Sequence, residues 1–292
     1  MRILLTGASG QLGGYLLRAL VNDGVPVVAW SGAQTGRLFG VELQAVNLAD
    51  AEQVASAFRS AAPTAVLHAG AIAAVTECRR DPERAHQVNT RATGVLAELA
   101  QQTGARILFV STDLVFDGEK GWYREEDAPA PLSIYGRTKA VAESAILAVA
   151  QGLVVRVSLL FGPSMVGRPN FFDHQVAALR HGQSMTLFSD EWRTPISFAT
   201  AAQALMALVR SNSVGILHLG GPERISRLQM GQRLAAYLGV DPFAILAEPR
   251  NSVPSADPRP RDTSLDSSRW RELFPNQPWP SWQEALTQMA IP

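Results

Sequence analysis

The first twenty-two residues constrain this chain more than any other stretch. Arg2 to Thr6 is a short β-rich run. It ends in Gly7-Ala8-Ser9-Gly10-Gln11-Leu12-Gly13, and Gln11 to Asn22 follows with Leu12, Leu16, Leu17 and Leu20 on one helical face. A strand that breaks into a GxxGxxG turn and opens a helix meets the needs of a dinucleotide site. Gly7 permits the tight turn, Gly10 lets backbone approach a pyrophosphate, and Gly13 lets helix and strand pack closely. Ser9 lies within the same turn. The helix start then offers unpaired N–H groups and a positive dipole end to phosphate.

The pattern that follows supports this reading. Strands are expected at Val25 to Trp30, Val41 to Val46, Ala65 to His68, Arg106 to Val110 and Leu153 to Val157. Helices are expected from Asp50 to about Ser60, Asp81 to Gln101 and Ser133 to Val149, with Asp50 as a cap. Such alternation implies right-handed crossovers and a parallel sheet covered on both faces. The expected fold is α/β, a doubly wound parallel sheet (Rossmann) with a small discontinuous C-terminal substrate domain. Residues 1–158 and 197–220 form the NAD(P)-binding part, which takes in a helix near Phe198 to Arg210 and a strand near Ile216 to Leu219. Residues 159–196 and 221–292 form the small part, over the carboxyl ends of the strands.

Composition excludes several classes. Hydrophobic residues make up 47% and charged residues 18%, enough apolar material for a large core. Lys plus Arg number 26 and Asp plus Glu number 26, so neither nucleic acid nor a membrane surface is an expected partner. Cys78 is the single cysteine and cannot form an intrachain disulfide. No apolar run is long enough for a spanning helix, and the start does not read as a signal peptide, so a cytoplasmic protein is expected. A small-molecule substrate and a homodimer are the expected partners.

Two further features carry chemistry. After the second strand the chain reads Ala29-Trp30-Ser31-Gly32-Ala33-Gln34-Thr35-Gly36-Arg37, with no acid to hold a ribose 2′-hydroxyl. Ser31 and Arg37 can accommodate a 2′-phosphate instead, which favours NADP over NAD. Tyr135-Gly136-Arg137-Thr138-Lys139 opens a helix and places Tyr135 and Lys139 on one face. An ammonium near a phenol is expected to pull its pKa down from ~10, readying it for proton transfer to a carbonyl oxygen while hydride moves. Ser111-Thr112-Asp113 follows the fifth strand at its carboxyl end, where the Thr112 hydroxyl can hold the reacting oxygen and Ser111 lies beside the cofactor.

With these residues in view, the chain resembles the dTDP-4-dehydrorhamnose reductases, extended short-chain dehydrogenase/reductases that reduce a nucleotide-linked 4-keto sugar. The likeness rests on Gly7 to Gly13, Ser111 to Gly118 and Tyr135 to Lys139. Asp81-Pro82-Glu83 with Asn89, Arg193-Thr194-Pro195, and Arg259-Pro260 followed by Ser264-Leu265-Asp266 extend it. It implies a catalytic trio of Thr112, Tyr135 and Lys139. It implies that Gln11, Leu12, Gly13, Asn47, Leu48, Ala69, Gly70 and Ala71 line the cofactor and that Arg193 lies near substrate. The chain departs from the family pattern at Leu114, Leu159 and Thr76, where the family carries Tyr, Trp and Asp, and at Asn47, where it carries Asp. The substrate pocket is therefore altered around Leu114, Leu159, Trp192 and Arg193. Trp192 can stack on a sugar or base, or pack beneath the small domain. Two other activities share these motifs. One is a non-catalytic NADP-binding subunit similar to the regulatory subunit of methionine adenosyltransferase; the other is a nucleotide-sugar epimerase. The histidines show no metal-ligand spacing, and Asp113, Asp117 and Glu119 suit turns and caps better than a metal.

Overall fold

The computed structural model describes residues 1–241, 245–289 and 291; residues 242–244, 290 and 292 of the expected small part lie outside the described residues. In chain order the first half comprises β1 (Ile3–Thr6), α1 (Gln11–Asn22), β2 (Val27–Ser31), β3 (Arg37–Leu38), β4 (Val41–Ala45), α2 (Ala51–Ala61), β5 (Ala65–His68), α3 (Val75–Arg80), α4 (Pro82–His86), α5 (Ala92–Thr103), β6 (Arg106–Thr112), α6 (Ile134–Leu147) and β7 (Gly152–Val157). The second half adds β8 (Leu160–Phe161), α7 (Phe171–Arg180), β9 (Met185–Phe188), β10 (Trp192–Arg193), β11 (Ile196–Ser197), α8 (Phe198–Val209), β12 (Gly215–Leu219), β13 (Ile225–Ser226), α9 (Arg227–Leu238), β14 (Ile245–Glu248), α10 (Ser268–Leu273) and α11 (Trp282–Gln288).

The main sheet runs β12-β7-β6-β5-β1-β2-β4-β3 and is parallel except at the β3–β4 edge. The strand order reverses between β1 and β5, which opens a crevice at their carboxyl ends. Two apolar layers cover the sheet. On one face Leu12, Leu16, Leu17 and Leu20 of α1 pack with Leu205 and Leu208 of α8. On the other, Val54 and Phe58 of α2 pack with Leu96 of α5 and Ile146 of α6. The expected Asp50 cap is present, accepting from the Gln53 N–H at 3.0 Å, and Ser133 also caps its helix, accepting from the Gly136 N–H at 3.0 Å.

A third apolar cluster joins Phe161, Phe172, Val176, Leu234 and Trp282, all contributed by the segments after β7. Trp270 of α10 instead packs into the α1–α8 layer, so that stretch runs along the main sheet.

Two local expectations need correction. The loop after β2 is not all loop: Arg37 and Leu38 pair antiparallel with Glu42 and Val41, forming a short hairpin at the sheet edge. The long helix after Asp81 widens into one π turn at Gln87–Arg91. Asn89 of that turn holds both backbone groups of Ile72, accepting from its N–H at 2.8 Å and donating to its carbonyl at 3.0 Å. The wide turn thus pins the loop after β5.

Candidate active site

A cleft of about 260 Å³ opens at the strand-order reversal. Gly7, Ser9, Gly10, Ser31, Asn47, Leu48, Ala69, Gly70 and Ala71 line it, as the sequence suggests. Gly7 has φ +70°, and a Cβ there would sit 2.7 Å from the Gly70 backbone. At Gly13 a Cβ would meet the Gly7 carbonyl at 1.9 Å. Both positions therefore exclude any side chain. The α1 N-terminus has no side-chain cap, and its N-cap residue Gly10 lines the cleft. A glycine-walled crevice with an open helix start fits a dinucleotide.

Some of the expected residues lie elsewhere. Gln11 turns its amide to the Arg168 carbonyl at 2.6 Å, Leu12 is in the core, and Gly13 is a packing contact. Arg37 is exposed on the edge hairpin and does not line the cleft, because pairing with β4 carries it away. Ser111 is buried and donates to Glu143 at 2.5 Å. Glu143 in turn pairs with buried Arg156 at 2.8 Å, so Ser111 anchors β6 to α6 and does not face the cleft. The cleft instead gains Arg84, Val88 and Arg168, which no local pattern marks.

His68 supports the cleft floor. The Gly70 N–H donates to Thr6 Oγ1 (3.0 Å), and Thr6 Oγ1 lies 2.7 Å from His68 Nδ1. Thr93 spends its proton on the Asn89 carbonyl (2.8 Å), so His68 Nε2 at 2.9 Å must donate to it. Nδ1 then accepts from Thr6, and every group in the chain is satisfied with a neutral imidazole. Burial, followed by the charge of Lys139, lowers the His68 pKa to about 3. Burial beside Arg156 likewise takes His218 to about 3. Both sit below the unfolded value of ~6.5, so the unfolded chain binds more protons between those limits. Stability is therefore expected to fall as pH drops from about 6.5 toward 3, by about 1.4 kcal/mol per pH unit per histidine. Urea midpoints measured across that range check this; a flat profile would contradict it.

The Thr112 and Tyr135 hydroxyl groups come together. Thr112 begins the turn after β6, accepts from the Leu114 N–H at 3.1 Å and donates to Asp113 at 3.2 Å. Gly136 is what lets α6 approach this turn. A Cβ there would stand 2.2 Å from the Leu114 carbonyl. This glycine sits in plain view between Tyr135 and Lys139, yet its role depends on Leu114, 22 positions earlier in the sequence.

The electrostatics correct one expectation. Burial pushes the half-buried Tyr135 phenol up; Thr112 draws it partly back, and the neighbouring Asp113 raises it further. Lys139 does not lower it. Lys139 is only 2% exposed, and its Nζ lies over the Phe109 ring, 3.9 Å from the centroid. Burial takes its own pKa down to about 7, with Glu143 opposing. Burial works against the charged amine, whereas the Phe109 face and Glu143 favour it.

Beyond the trio lies a second cavity, of about 360 Å³. The loop after β5 borders both cavities: Ile72 ends the first, and Val75 and Thr76 begin the second. Leu114, Leu159 and Arg193 line this second cavity, with Asp113, Arg227 and Arg259. Trp192 does not line it; its ring is covered by the Arg224 guanidinium at 4.2 Å, and its strand pairs with β13. Arg193 is a buried pin. It pairs with Glu191 at 3.2 Å and Asp113 at 3.5 Å, so its charge is already answered. Asp113 also accepts from Thr263 at 2.8 Å, which ties the trio's turn to the C-terminal segment.

Fold and site together define an NAD(P)-dependent oxidoreductase of the extended short-chain dehydrogenase/reductase type. The RmlD substrate binding domain model matches residues 1–291, and the chain belongs to that family. It is similar to a dTDP-4-dehydrorhamnose reductase of Streptomyces griseus, 31% identical over 98% of this chain and 92% of the relative. It is also similar to a probable low-salt glycan biosynthesis reductase of Haloferax volcanii, 30% identical over 95% of this chain and 94% of the relative. Among solved structures, a hypothetical dTDP-4-dehydrorhamnose reductase from Sulfolobus tokodaii superposes with a TM-score of 0.85 at 30% identity, covering 100% of both chains.

Proposed function

We propose that this chain reduces a carbonyl on a nucleotide-linked sugar, with NADPH as the hydride source. The observation that carries this reading is the meeting of Thr112 and Tyr135 beside a second cavity that shares a border loop with the cofactor cleft. The nicotinamide, when bound, supplies hydride to the carbonyl carbon. The Thr112 hydroxyl orients the carbonyl oxygen, and the Tyr135 phenol gives that oxygen its proton, leaving an alcohol. Solvent then returns a proton to the phenolate. A raised phenol pKa suits this direction, because the phenol stays protonated at neutral pH. Lys139 holds the nicotinamide ribose. Residues 159–196 and 221–292, which apart from the α10 stretch are built around their own apolar cluster, form the substrate-binding part, with Leu114 and Leu159 giving a more apolar wall than the family's Tyr and Trp.

The preference for NADP rests on charge. Arg84 lines the cofactor cleft and no carboxylate does, so nothing there repels a 2′-phosphate. NADPH is therefore expected to bind more tightly than NADH, with the gap narrowing as salt is raised. Equal affinity for the two in a titration at low salt would contradict this. A homodimer through the α5–α6 face is part of this reading, supported by the exposed Val141 and Leu147 beside a shallow groove lined by Ala97 and Ala145. Light scattering is expected to give twice the 31.4 kDa of the chain, falling to the single-chain mass in Val141→Glu.

The carbonyl-reductase reading is tested by NADPH oxidation over a panel of keto-sugar nucleotides. The intact Thr112, Tyr135 and Lys139 favour catalysis over a purely regulatory role.

A further inference from the structure

The loop from Gly162 to Asn170 belongs to the second segment of the chain, which follows β7, yet lies across the start of α1. Tyr15 donates its hydroxyl to the Pro163 carbonyl at 2.7 Å. Gln11 donates to the Arg168 carbonyl at 2.6 Å. Val166 occupies the space above Gly14, where a Cβ would come within 2.5 Å of its Cγ1. Gly14 is not part of the GxxGxxG spacing, and this contact explains it. The loop is a strap held at three points to the helix that follows the glycine turn.

Arg168, near the end of the strap, lines the cofactor cleft and donates to the Ser9 carbonyl at 2.7 Å. Among the described residues it forms no ion pair. Arg84, which also lines the cleft, forms none either. Two guanidinium groups with no carboxylate partner therefore share a cleft with the uncapped α1 helix start. A guanidinium resting on a neutral carbonyl of the phosphate-binding turn can exchange that contact for a phosphate oxygen, with a charge-assisted bond replacing a neutral one.

We propose that Arg168 is a ligand of the cofactor pyrophosphate, delivered to the cleft from the second segment, and that the 162–170 strap makes cofactor retention depend on that segment. This rests on the cofactor reading above. The strap reaches about 150 residues along the chain to the glycine turn, so cofactor release requires Arg168 to withdraw.

The test is a titration of NADPH, NADH and adenosine 2′-monophosphate into wild type and Arg168→Ala by calorimetry. Arg168 is exposed, and matching thermal melts of the free proteins verify folding. In Arg168→Ala, NADPH and NADH are expected to weaken by the same factor, about tenfold at low salt, and less at high salt. Adenosine 2′-monophosphate, which lacks the pyrophosphate, should be unaffected. Unchanged NADPH affinity overturns the proposal. A loss confined to NADPH and adenosine 2′-monophosphate overturns the pyrophosphate assignment in favour of the 2′-phosphate. Wild type that binds no NADPH would defeat the oxidoreductase reading itself. Tyr15→Phe keeps the ring stack on Phe198 and removes only the tether to Pro163. Stopped-flow displacement should show severalfold faster NADPH release from it, and an unchanged rate overturns the strap's part in retention.

Discussion

Lys139→Met is expected to make the protein more stable while abolishing most of its reductase activity. Lys139 is buried, and its pKa of about 7 lies well below the ordinary lysine value. The sign follows from linkage. Between pH 7 and about 10.5 the unfolded chain carries a proton on this amine that the folded chain lacks. The cost of burying it is thus fully present below pH 7 and disappears above about 10.5. Removing the amine relieves about 4 kcal/mol at or below neutral pH, offset in part by the lost contact with the Phe109 ring. Methionine keeps the length and the apolar packing. Urea unfolding of both proteins at pH 6 and pH 10 checks this. A variant less stable than wild type at pH 6, or a gain that does not shrink at pH 10, would contradict the account. Stability sacrificed at a functional position is a familiar trade.

Tyr135→Phe should separate binding from chemistry. Phenylalanine preserves the ring and removes only the hydroxyl beside Thr112. The proton donor to the developing alkoxide is then lost, and kcat/KM is expected to fall by about 10² to 10⁴. NADPH affinity should change little, because the aromatic ring stays in place and Lys139 is untouched. In wild type the raised phenol pKa predicts no loss of the acid form through neutral and mildly alkaline pH. An inflection near pH 7 would report Lys139. Turnover that survives in Tyr135→Phe within severalfold of wild type would remove this residue from the mechanism.

What the sequence made legible was local. The glycine turn, the helix face of Leu12, Leu16, Leu17 and Leu20, and the Asp50 cap each depend on neighbours within a few residues. Gly7, Gly10, Asn47, Ala69, Gly70 and Ala71, which line the cleft, sit in turns at strand ends that the alternation of strands and helices marks. What was not legible depends on distant partners. Arg37 was displaced by pairing with β4, where Val41 and Glu42 set the hairpin. Lys139 looked like a charge beside a phenol, and only Phe109 of β6 shows that it is buried on an aromatic face. Arg193 reads as free for substrate until Glu191 and Asp113 close on it, and Trp192 reads equally as a stacking platform or a packing residue until Arg224 covers its ring. Arg168 reaches the glycine turn from 159 positions away, and no spacing rule marks such a contact. Gly136 lay inside the motif itself, but its reason is the Leu114 carbonyl.

The most direct test of the central claim follows cofactor and sugar together. The protein is incubated with NADPH and dTDP-4-dehydro-6-deoxy sugars, and both NADP⁺ and the sugar nucleotide are quantified. The account predicts that NADP⁺ and a reduced, alcohol-bearing sugar nucleotide appear in equal amounts. A sugar inverted at a ring carbon with the cofactor unconsumed would contradict it and mark an epimerase. NADPH bound but never oxidised across the panel, with another enzyme co-purifying, would contradict it in favour of a regulatory subunit.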